Sequence, residues 1–379
     1  MSKRKIGFKN DNLIKISIWA VISLIFMAFL FHLYIHDLMP SVNEDKCLEE
    51  HFLQNRNDYP LIHKCYKGKL IDILHSKGIK ASLEFANSTI NTKTNYLLGH
   101  IILHELGHKA YHKTSDLNKT LQFLPSCFYT TECLWRFDGF KHGVFQSYFK
   151  DKLKEKPMVD IIREACEPYF DSSMLNAPLN SSDRFLSAHC FHASGHAIMA
   201  ATNNDVSKSL FYCDELPDFK MKDICYYGVF MEYTFLYIYN QKEPSIPSNI
   251  SMVELCSTLD GRQKFLCSHF VAWQYFFTGK NYNYSLSRCL VLDKNYTVPC
   301  ILIGARLILP AVFKNNFDKI IEACKDFGPE LVNACISGAA FGIRQGVAGY
   351  NFEDYPFCSL PKIPNQSDCK KYSFYHAIP

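Results

Sequence analysis

The sequence predicts an all-α protein of disulfide-linked helical hairpins, stacked as a solenoid or closed into an α/α toroid, behind one N-terminal transmembrane helix. Two observations predict this fold. In the second half of the chain, a cysteine, ten or eleven loop-like residues and a second cysteine recur five times. Near the N-terminus, twenty residues without any Lys, Arg, Asp or Glu follow a basic segment.

The N-terminal residues predict a membrane anchor. Residues 1–15 form a basic tail that carries five basic residues against the single acid Asp11. Residues 16–35 are long enough to span a bilayer, and no small-residue cleavage pattern follows them, so we expect a retained signal anchor. The basic flank predicts a cytoplasmic N-terminus, which places the rest of the chain in a lumen or outside the cell. Residues 36–46 then form a stem, and residues 47–379 form an extracytoplasmic cysteine-rich helical-repeat domain.

The cysteines and the glycosylation sequons agree with this compartment. All 16 cysteines lie beyond residue 46, and most form local pairs, which is typical of disulfides in an oxidising environment. Seven N-x-S/T sequons exceed the roughly two or three that chance would give, and they predict a glycoprotein. An Asn-rich bacterial or archaeal chain can carry unused sequons, so the cell type stays open. The sequons begin at Asn87, Asn118, Asn180, Asn249, Asn283, Asn295 and Asn365.

The charge of the chain excludes one class of partner. The formal net charge of +4 resides entirely in residues 1–15, so the remaining chain is neutral. A neutral domain lacks the basic surface that nucleic-acid binding requires. We therefore expect the membrane as a partner through the anchor, an extracytoplasmic protein or small molecule as a ligand, and no nucleic acid.

The paired cysteines delimit the predicted repeats. In each repeat the first cysteine ends one helix, and the second opens a short apolar helix-like run. The second cysteines are 42, 33, 35 and 34 residues apart, and a period near 34 fits two short helices with two turns. The pairs are Cys213 with Cys225, Cys256 with Cys267, Cys289 with Cys300, Cys324 with Cys335, and Cys358 with Cys369.

The spacing alone leaves the connectivity of the cysteines open. A bridge across each loop and a pairing between adjacent repeats would both give this pattern. In general plan the repeats resemble secreted Sel1-like repeat proteins, although the cysteine spacing differs. The first half of the chain follows the pattern less regularly, with Cys166 and Cys190 in a longer repeat, Cys47 and Cys65 in a cap, and Cys127 and Cys133 as the least regular pair.

Histidines are concentrated and patterned in the first half of the domain. Eight of the 15 histidines lie between residues 100 and 196. One set recurs every fourth residue and another follows the spacing i, i+3, i+7, so each lies along one helix face. Two imidazoles at i and i+4 can reach the same metal ion. The sets are His100, His104, His108 and His112, and His189, His192 and His196.

One histidine pair belongs to a known motif. Residues 104–108, His-Glu-Leu-Gly-His, match HExxH and thereby resemble zinc metallopeptidases over five residues of the chain. The resemblance implies that His104 and His108 bind zinc and that Glu105 acts as the catalytic base. A third ligand would come from His142, His189 or Glu232.

A second copy of the pattern indicates a different site. Residues 192–196, His-Ala-Ser-Gly-His, repeat H-x-x-G-H with alanine in place of the glutamate. The shared glycine predicts a helix packed closely on a neighbour, with the histidines directed at a common interior. This interpretation gives a buried metal site formed by His104, His108, His192 and His196, with His142, His269 and Glu232 as additional ligands.

These patterns predict three alternative functions. The first is a membrane-anchored extracytoplasmic protein with a histidine-based metal site, in which zinc is the preferred ion and iron and copper are alternatives. The second is an HExxH zinc metallopeptidase. The third is a nonenzymatic interaction scaffold, in which the histidines face solvent or serve as hydrogen-bonded packing groups. Whether the protein is an enzyme stays open, and a metal-dependent hydrolase is the favoured class if it is one.

Overall fold

A computed structural model of the chain describes residues 59–90, 96–124, 131–176, 182–240, 250–313 and 316–344. The chain divides into two units, Met1–Asn55 and Arg56–Pro379, and every described residue belongs to the second. The predicted tail, transmembrane anchor and stem therefore lie outside the described residues.

The described residues are helical and contain no strand, which confirms the predicted all-α class. Seven of the helices have 16 to 22 residues, namely α1, α3, α5, α8, α10, α15 and α17. In chain order the helices are α1 (Tyr59–Lys77), α2 (Ile79–Phe85), α3 (Tyr96–Thr114), α4 (Leu117–Leu121), α5 (Thr131–Lys152), α6 (Met158–Ala165), α7 (Ser172–Leu175), α8 (Ser182–Ala201), α9 (Val206–Asp214), α10 (Phe219–Asn240), α11 (Met252–Ser257), α12 (Gly261–Ser268), α13 (Val271–Phe277), α14 (Tyr282–Ser287), α15 (Lys294–Phe313), α16 (Phe317–Lys325) and α17 (Pro329–Arg344).

The long helices pack in chain order. Helix α3 contacts α1 on one side and α5 on the other, α5 contacts α8, and α8 contacts α10. The short helices α12 and α13 then pack between α10 and α15, and α15 packs on α17. Helices that follow one another in sequence are thus neighbours in space, as short connections favour. This order brings the histidine-bearing helices α3, α5 and α8 together.

Disulfides close the loops between successive helices. Five pairs bridge locally, with Cα atoms 5.5 to 5.8 Å apart, and all ten cysteines are fully buried. Of the two connectivities that the spacing allowed, these pairs adopt the bridge across the loop. They are Cys166–Cys190, Cys213–Cys225, Cys256–Cys267, Cys289–Cys300 and Cys324–Cys335.

Three other predicted cysteine pairs fall wholly or partly outside the described residues. Cys358 and Cys369, the last of the five regular pairs, both lie beyond residue 344, where the described part of the chain ends. A disulfide between Cys358 and Cys369 is therefore not among the bridges that the structure describes, and it stays a prediction. The same holds for the pairing of Cys47 with Cys65 and for that of Cys127 with Cys133.

Glycines let the long helices touch backbone to backbone. A Cβ on Gly143 of α5 would overlap the carbonyl oxygen of His104 on α3. A Cβ on Gly228 of α10 would likewise overlap the carbonyl oxygen of His192 on α8. The glycine of the second H-x-x-G-H copy, Gly195, contacts α10 in the same way. Only a residue without a side chain permits this separation, so the helix packing agrees with the expectation from the glycine pattern.

Among the described residues, helix α15 is long and apolar enough to span a membrane. Its most apolar 18-residue stretch has a mean hydropathy of 1.8, and 61% of that stretch is buried inside the protein. The buried Arg306 lies in this helix, with its guanidinium 4.3 Å from the ring centre of Phe341. Such burial is typical of a core helix, and α15 is a different segment from residues 16–35.

The sequons in the described residues are accessible. Four of the seven asparagines are described, and all four are exposed: Asn87, Asn118, Asn283 and Asn295. The other three, Asn180, Asn249 and Asn365, lie outside the described residues.

We expect Gly143→Ala to destabilise the protein by roughly 1–3 kcal/mol or more, because the new methyl group would force α3 and α5 apart. Chemical unfolding of the full chain, followed by circular dichroism, measures the change. Gly68→Ala is the matched control, since Gly68 is also helical but faces open space. That variant should be unchanged or more stable by up to about 1 kcal/mol, because alanine favours the helix. Equal losses in both variants would contradict the packing.

Candidate metal centre

Four adjacent helices direct histidines and one acid into a common buried cluster. Helix α3 contributes one histidine pair, α8 contributes another, α5 adds a single histidine, and α10 adds a glutamate. The i, i+4 spacing places both members of a pair on one helix face. The five histidines are at most 9% exposed, and the glutamate side chain is 12% exposed. This histidine cluster consists of His100, His104, His142, His192, His196 and Glu232.

Three ring nitrogens meet at the centre of the cluster. His104 Nε2 lies 3.2 Å from His100 Nε2 and 3.2 Å from His142 Nδ1. His142 Nδ1 lies 3.1 Å from His100 Nε2, which closes the triangle. A hydrogen bond needs one donor and one acceptor. Each nitrogen of a neutral ring is one or the other, so at least two of the three nitrogens are both donors or both acceptors, and the contact between those two is repulsive. A single cation inside the triangle would satisfy all three lone pairs. We call these three residues the first triad.

The triangle has dimensions that suit a metal ion. Zinc binds imidazole nitrogen at about 2.0–2.1 Å in tetrahedral geometry, which separates two ligand nitrogens by about 3.3 Å. The observed separations of 3.1 to 3.2 Å are close to this value. The first triad therefore has the ligand type, number and spacing of a three-histidine zinc site.

A second set of ligands lies beside the first triad. His192 Nε2 is 3.2 Å from His196 Nε2, and together with His142 these residues form a set whose ligand atoms all lie within 4.8 Å of one another. His104, His196 and Glu232 form another such set. Glu232 Oε2 accepts a hydrogen bond from Nδ1 of His196 at 2.6 Å, which leaves Nε2 directed at His192.

A buried carboxylate lies beside the histidine that the two sets share. Asp138 Oδ1 lies 3.2 Å from Nε2 of His142 and 3.2 Å from Nδ1 of His189, and Asp138 is 2% exposed. Because the carboxylate contacts Nε2 of His142, it leaves Nδ1 as the nitrogen that faces the first triad. Carboxylates behind ligating histidines commonly fix the ring and its tautomer in metal sites.

Burial keeps the imidazoles in the form that binds metals. Burial, with opposing contributions from nearby charged groups, lowers the pKa of His104 and of His196 to about 3. It also lowers the pKa values of His100, His142 and His192 well below the usual range, with mutual repulsion among the rings adding to the effect. Neutral imidazoles with free lone pairs are the metal-binding form, so no proton has to leave before an ion binds near pH 7.

Some of the sequence-predicted residues lie outside these ligand sets. His108 bonds through Nδ1 to the Ser147 hydroxyl at 2.9 Å, and Glu105 pairs with the Lys67 ammonium at 2.9 Å. His269 follows α12, where its ring packs beside Phe265 with a centroid separation of 5.1 Å. None of the three belongs to a ligand set in the described part of the chain. The structure brings His104, His142, His192, His196 and Glu232 into neighbouring, overlapping ligand sets.

Two residues of the candidate centre were missing from the predicted site. His100 stood in the row of histidines but was not predicted to be a ligand, although it lies one helical turn before His104. Asp138 was not singled out. Its signal in the sequence is the i, i+4 spacing to His142, which places an acid on the same helix face.

No protein-family model, curated protein or solved structure matches this chain. Function is therefore inferred from the chemistry of the site rather than from relatives.

We expect the metal-free protein to lose stability as the pH falls from about 7 to 5. The unfolded chain takes up protons on its histidines below about pH 6.5, whereas the buried rings stay neutral. Each such ring contributes stability that is present above pH 6.5 and is lost on acidification. His104→Gln should therefore make the dependence shallower by up to about 1.4 kcal/mol per pH unit. Urea unfolding in the presence of a chelator, at several pH values, measures the slope.

His112→Gln provides a control for the substitution itself, because His112 lies on the same helix but is exposed and belongs to no ligand set. It should keep the wild-type stability at pH 7 to within about 0.5 kcal/mol. An unchanged slope in His104→Gln would show that this ring is already accessible to protons in the folded protein.

Proposed function

We propose that this chain is a membrane-anchored extracytoplasmic metalloprotein whose histidine cluster binds a divalent transition-metal ion, with zinc preferred over iron and copper. The observation that carries the proposal is the first triad, in which three buried nitrogens lie 3.1 to 3.2 Å apart, so that at least one of the three contacts brings together two donors or two acceptors. Imidazole suits all three metals, and the near-tetrahedral spacing favours zinc.

The surroundings of the first triad suit hydrolytic chemistry. Three protein ligands leave one position of a tetrahedral zinc ion open, and zinc in such a site supplies activation of water. Glu232 and His196 lie next to His104, so a proton acceptor is present beside the triad. Burial raises the pKa of Glu232, which makes it a stronger base than an exposed glutamate. If the protein is an enzyme, we therefore infer a metal-dependent hydrolase.

The contacts favour this centre over the HExxH peptidase alternative. In that alternative His104 and His108 would share one ion, with Glu105 beside it. His104 instead meets His100, while His108 bonds to Ser147. Glu105 pairs with Lys67 and is about one-third exposed. The acid that belongs to a ligand set of the cluster is Glu232, which comes from a different helix.

We also propose that the domain that carries the cluster lies outside the cytoplasm. Five buried disulfides and four exposed sequon asparagines fit a secreted or extracytoplasmic domain. The apolar residues 16–35 and their basic flank supply the anchor and the orientation. The cysteine period and the chain-ordered helix packing support a disulfide-stitched repeat array, whose exposed surface would meet an extracytoplasmic protein or small-molecule ligand.

The decisive test is the metal content of the full chain, purified in mild detergent without a histidine tag. Elemental mass spectrometry should find at least one zinc, iron or copper ion per chain. His104→Ala should lower the content by at least one ion per chain, because it removes one corner of the triangle. Glu105→Gln should retain the wild-type content, since Glu105 lies outside every ligand set.

Circular dichroism of each variant establishes that it is folded before its metal content is compared. Metal lost in Glu105→Gln together with peptidase activity would favour the HExxH alternative. A folded wild-type chain that takes up no ion, even when zinc, iron and copper are supplied, would overturn the proposal and favour the interaction scaffold.

A further inference from the structure

The histidine cluster has more ligands than one ion accepts. Five imidazoles and one carboxylate converge, whereas a tetrahedral zinc ion binds four ligands. In the described residues the ligand atoms group into sets of three, and no set contains both histidine pairs. The histidines beyond those of the first triad are therefore the pair His192 and His196 on α8.

The two histidine pairs are too far apart to surround one ion. Nitrogens bound to one ion lie within about 4.2 Å of one another, which is twice a bond length of about 2.1 Å. The ligand nitrogens of four histidines around one ion would therefore all lie within 4.8 Å of one another. The four histidines of the two pairs do not form such a set. The ring centroids of His100 and His196 are 6.3 Å apart.

Each pair has the same local geometry. Nε2 of His100 and Nε2 of His104 are 3.2 Å apart, and the corresponding atoms of His192 and His196 are also 3.2 Å apart. The ring of His142 lies between the pairs, with its centroid 4.8 and 5.1 Å from the rings on α3, and 5.1 and 4.3 Å from those on α8. His142 belongs to a ligand set with either pair.

Two carboxylates contact the outer nitrogens of this arrangement. Asp138 contacts the outer nitrogen of His142, and Glu232 bonds to the outer nitrogen of His196. Each acid is at most 12% exposed and supplies negative charge where a cation would be bound. Each pair thus has two imidazole ligands, and the cluster as a whole has negative charge from two buried carboxylates.

We propose that the cluster holds two divalent transition-metal ions, one bound by His100 and His104, the other bound by His192 and His196, with His142 between them. This inference rests on the proposed metal centre and adds a second ion to it. Paired ions about 3.5–4 Å apart recur in enzymes that displace a group at phosphorus or carbon, where they hold the attacking and the leaving oxygen. Phosphate esters and peptides are therefore the substrate classes to screen.

Zinc stoichiometry of the full chain tests the second ion. The protein is stripped with a chelator, titrated with Zn²⁺, freed of excess ion and analysed by elemental mass spectrometry. We expect two zinc ions per chain in the wild type and one in each of His100→Gln and His192→Gln. His108→Gln is the matched control, because His108 lies on α3 but outside the ligand sets, and it should keep both ions.

The outcomes separate the second ion from the centre as a whole. One ion in the wild type that His100→Gln loses overturns the two-ion inference and leaves the proposed metal centre standing. One ion in the wild type that both variants retain would lie outside the cluster and would overturn both proposals. Two ions retained in either glutamine variant would place an ion outside the cluster and also overturn the inference. No bound ion in the folded wild type would overturn both proposals.

A second measurement does not depend on variants that could misfold. Stripped wild-type protein is titrated with Co²⁺, and the visible absorption of the bound ion is followed. We expect the absorption to rise until two equivalents have been added. Saturation at one equivalent would overturn the second subsite even if His100→Gln and His192→Gln proved to be unfolded by circular dichroism.

Discussion

The close backbone contact between the long helices is the constraint on which the rest of the structure depends. In α5, Gly139 and Gly143 face the backbone carbonyl oxygens of His100 and His104, two of the histidines of the first triad. On the next pair of helices, Gly228 faces the carbonyl oxygen of His192. The helices therefore approach one another at the residues that carry the imidazoles. A side chain at any of these glycines would separate the rings by more than a metal-binding geometry tolerates.

The same contact explains why the cluster is electrostatically unusual. Close packing excludes water from the rings, and burial lowers the pKa values of all five histidines. In the first triad, at least one of the three contacts between neutral rings brings together two donors or two acceptors. A buried group of neutral imidazoles without a cation is therefore costly, whereas the same group with a cation gains from every lone pair. The packing that is unfavourable for the histidines alone becomes favourable when an ion is bound.

The sequence predicted that histidines would cluster better than it predicted which histidines form the cluster. The helical class and five of the six cluster residues followed from spacing, because spacing determines which residues share a helix face, whereas the cysteine spacing left the connectivity open. His100 and His108 each lie one turn from His104, so periodicity could not decide which of them joins the cluster. That choice depends on the rotation of α3 against α5, which the contacts of Gly139 and Gly143 determine. A three-dimensional contact of this kind leaves no periodic signal in a single sequence.

The disulfides and the proposed ions stabilise different levels of the architecture. The disulfides join residues 11 to 24 positions apart and close individual loops between helices. The contacts of the first triad join α3 to α5 across 38 and 42 positions, and His142 then meets the pair on α8. An ion bound there would cross-link α3, α5 and α8, which none of the described disulfides joins to one another. Because long-range links restrict the unfolded chain more than local ones, the metal would contribute to the alignment of the helices as well as to the chemistry at the site.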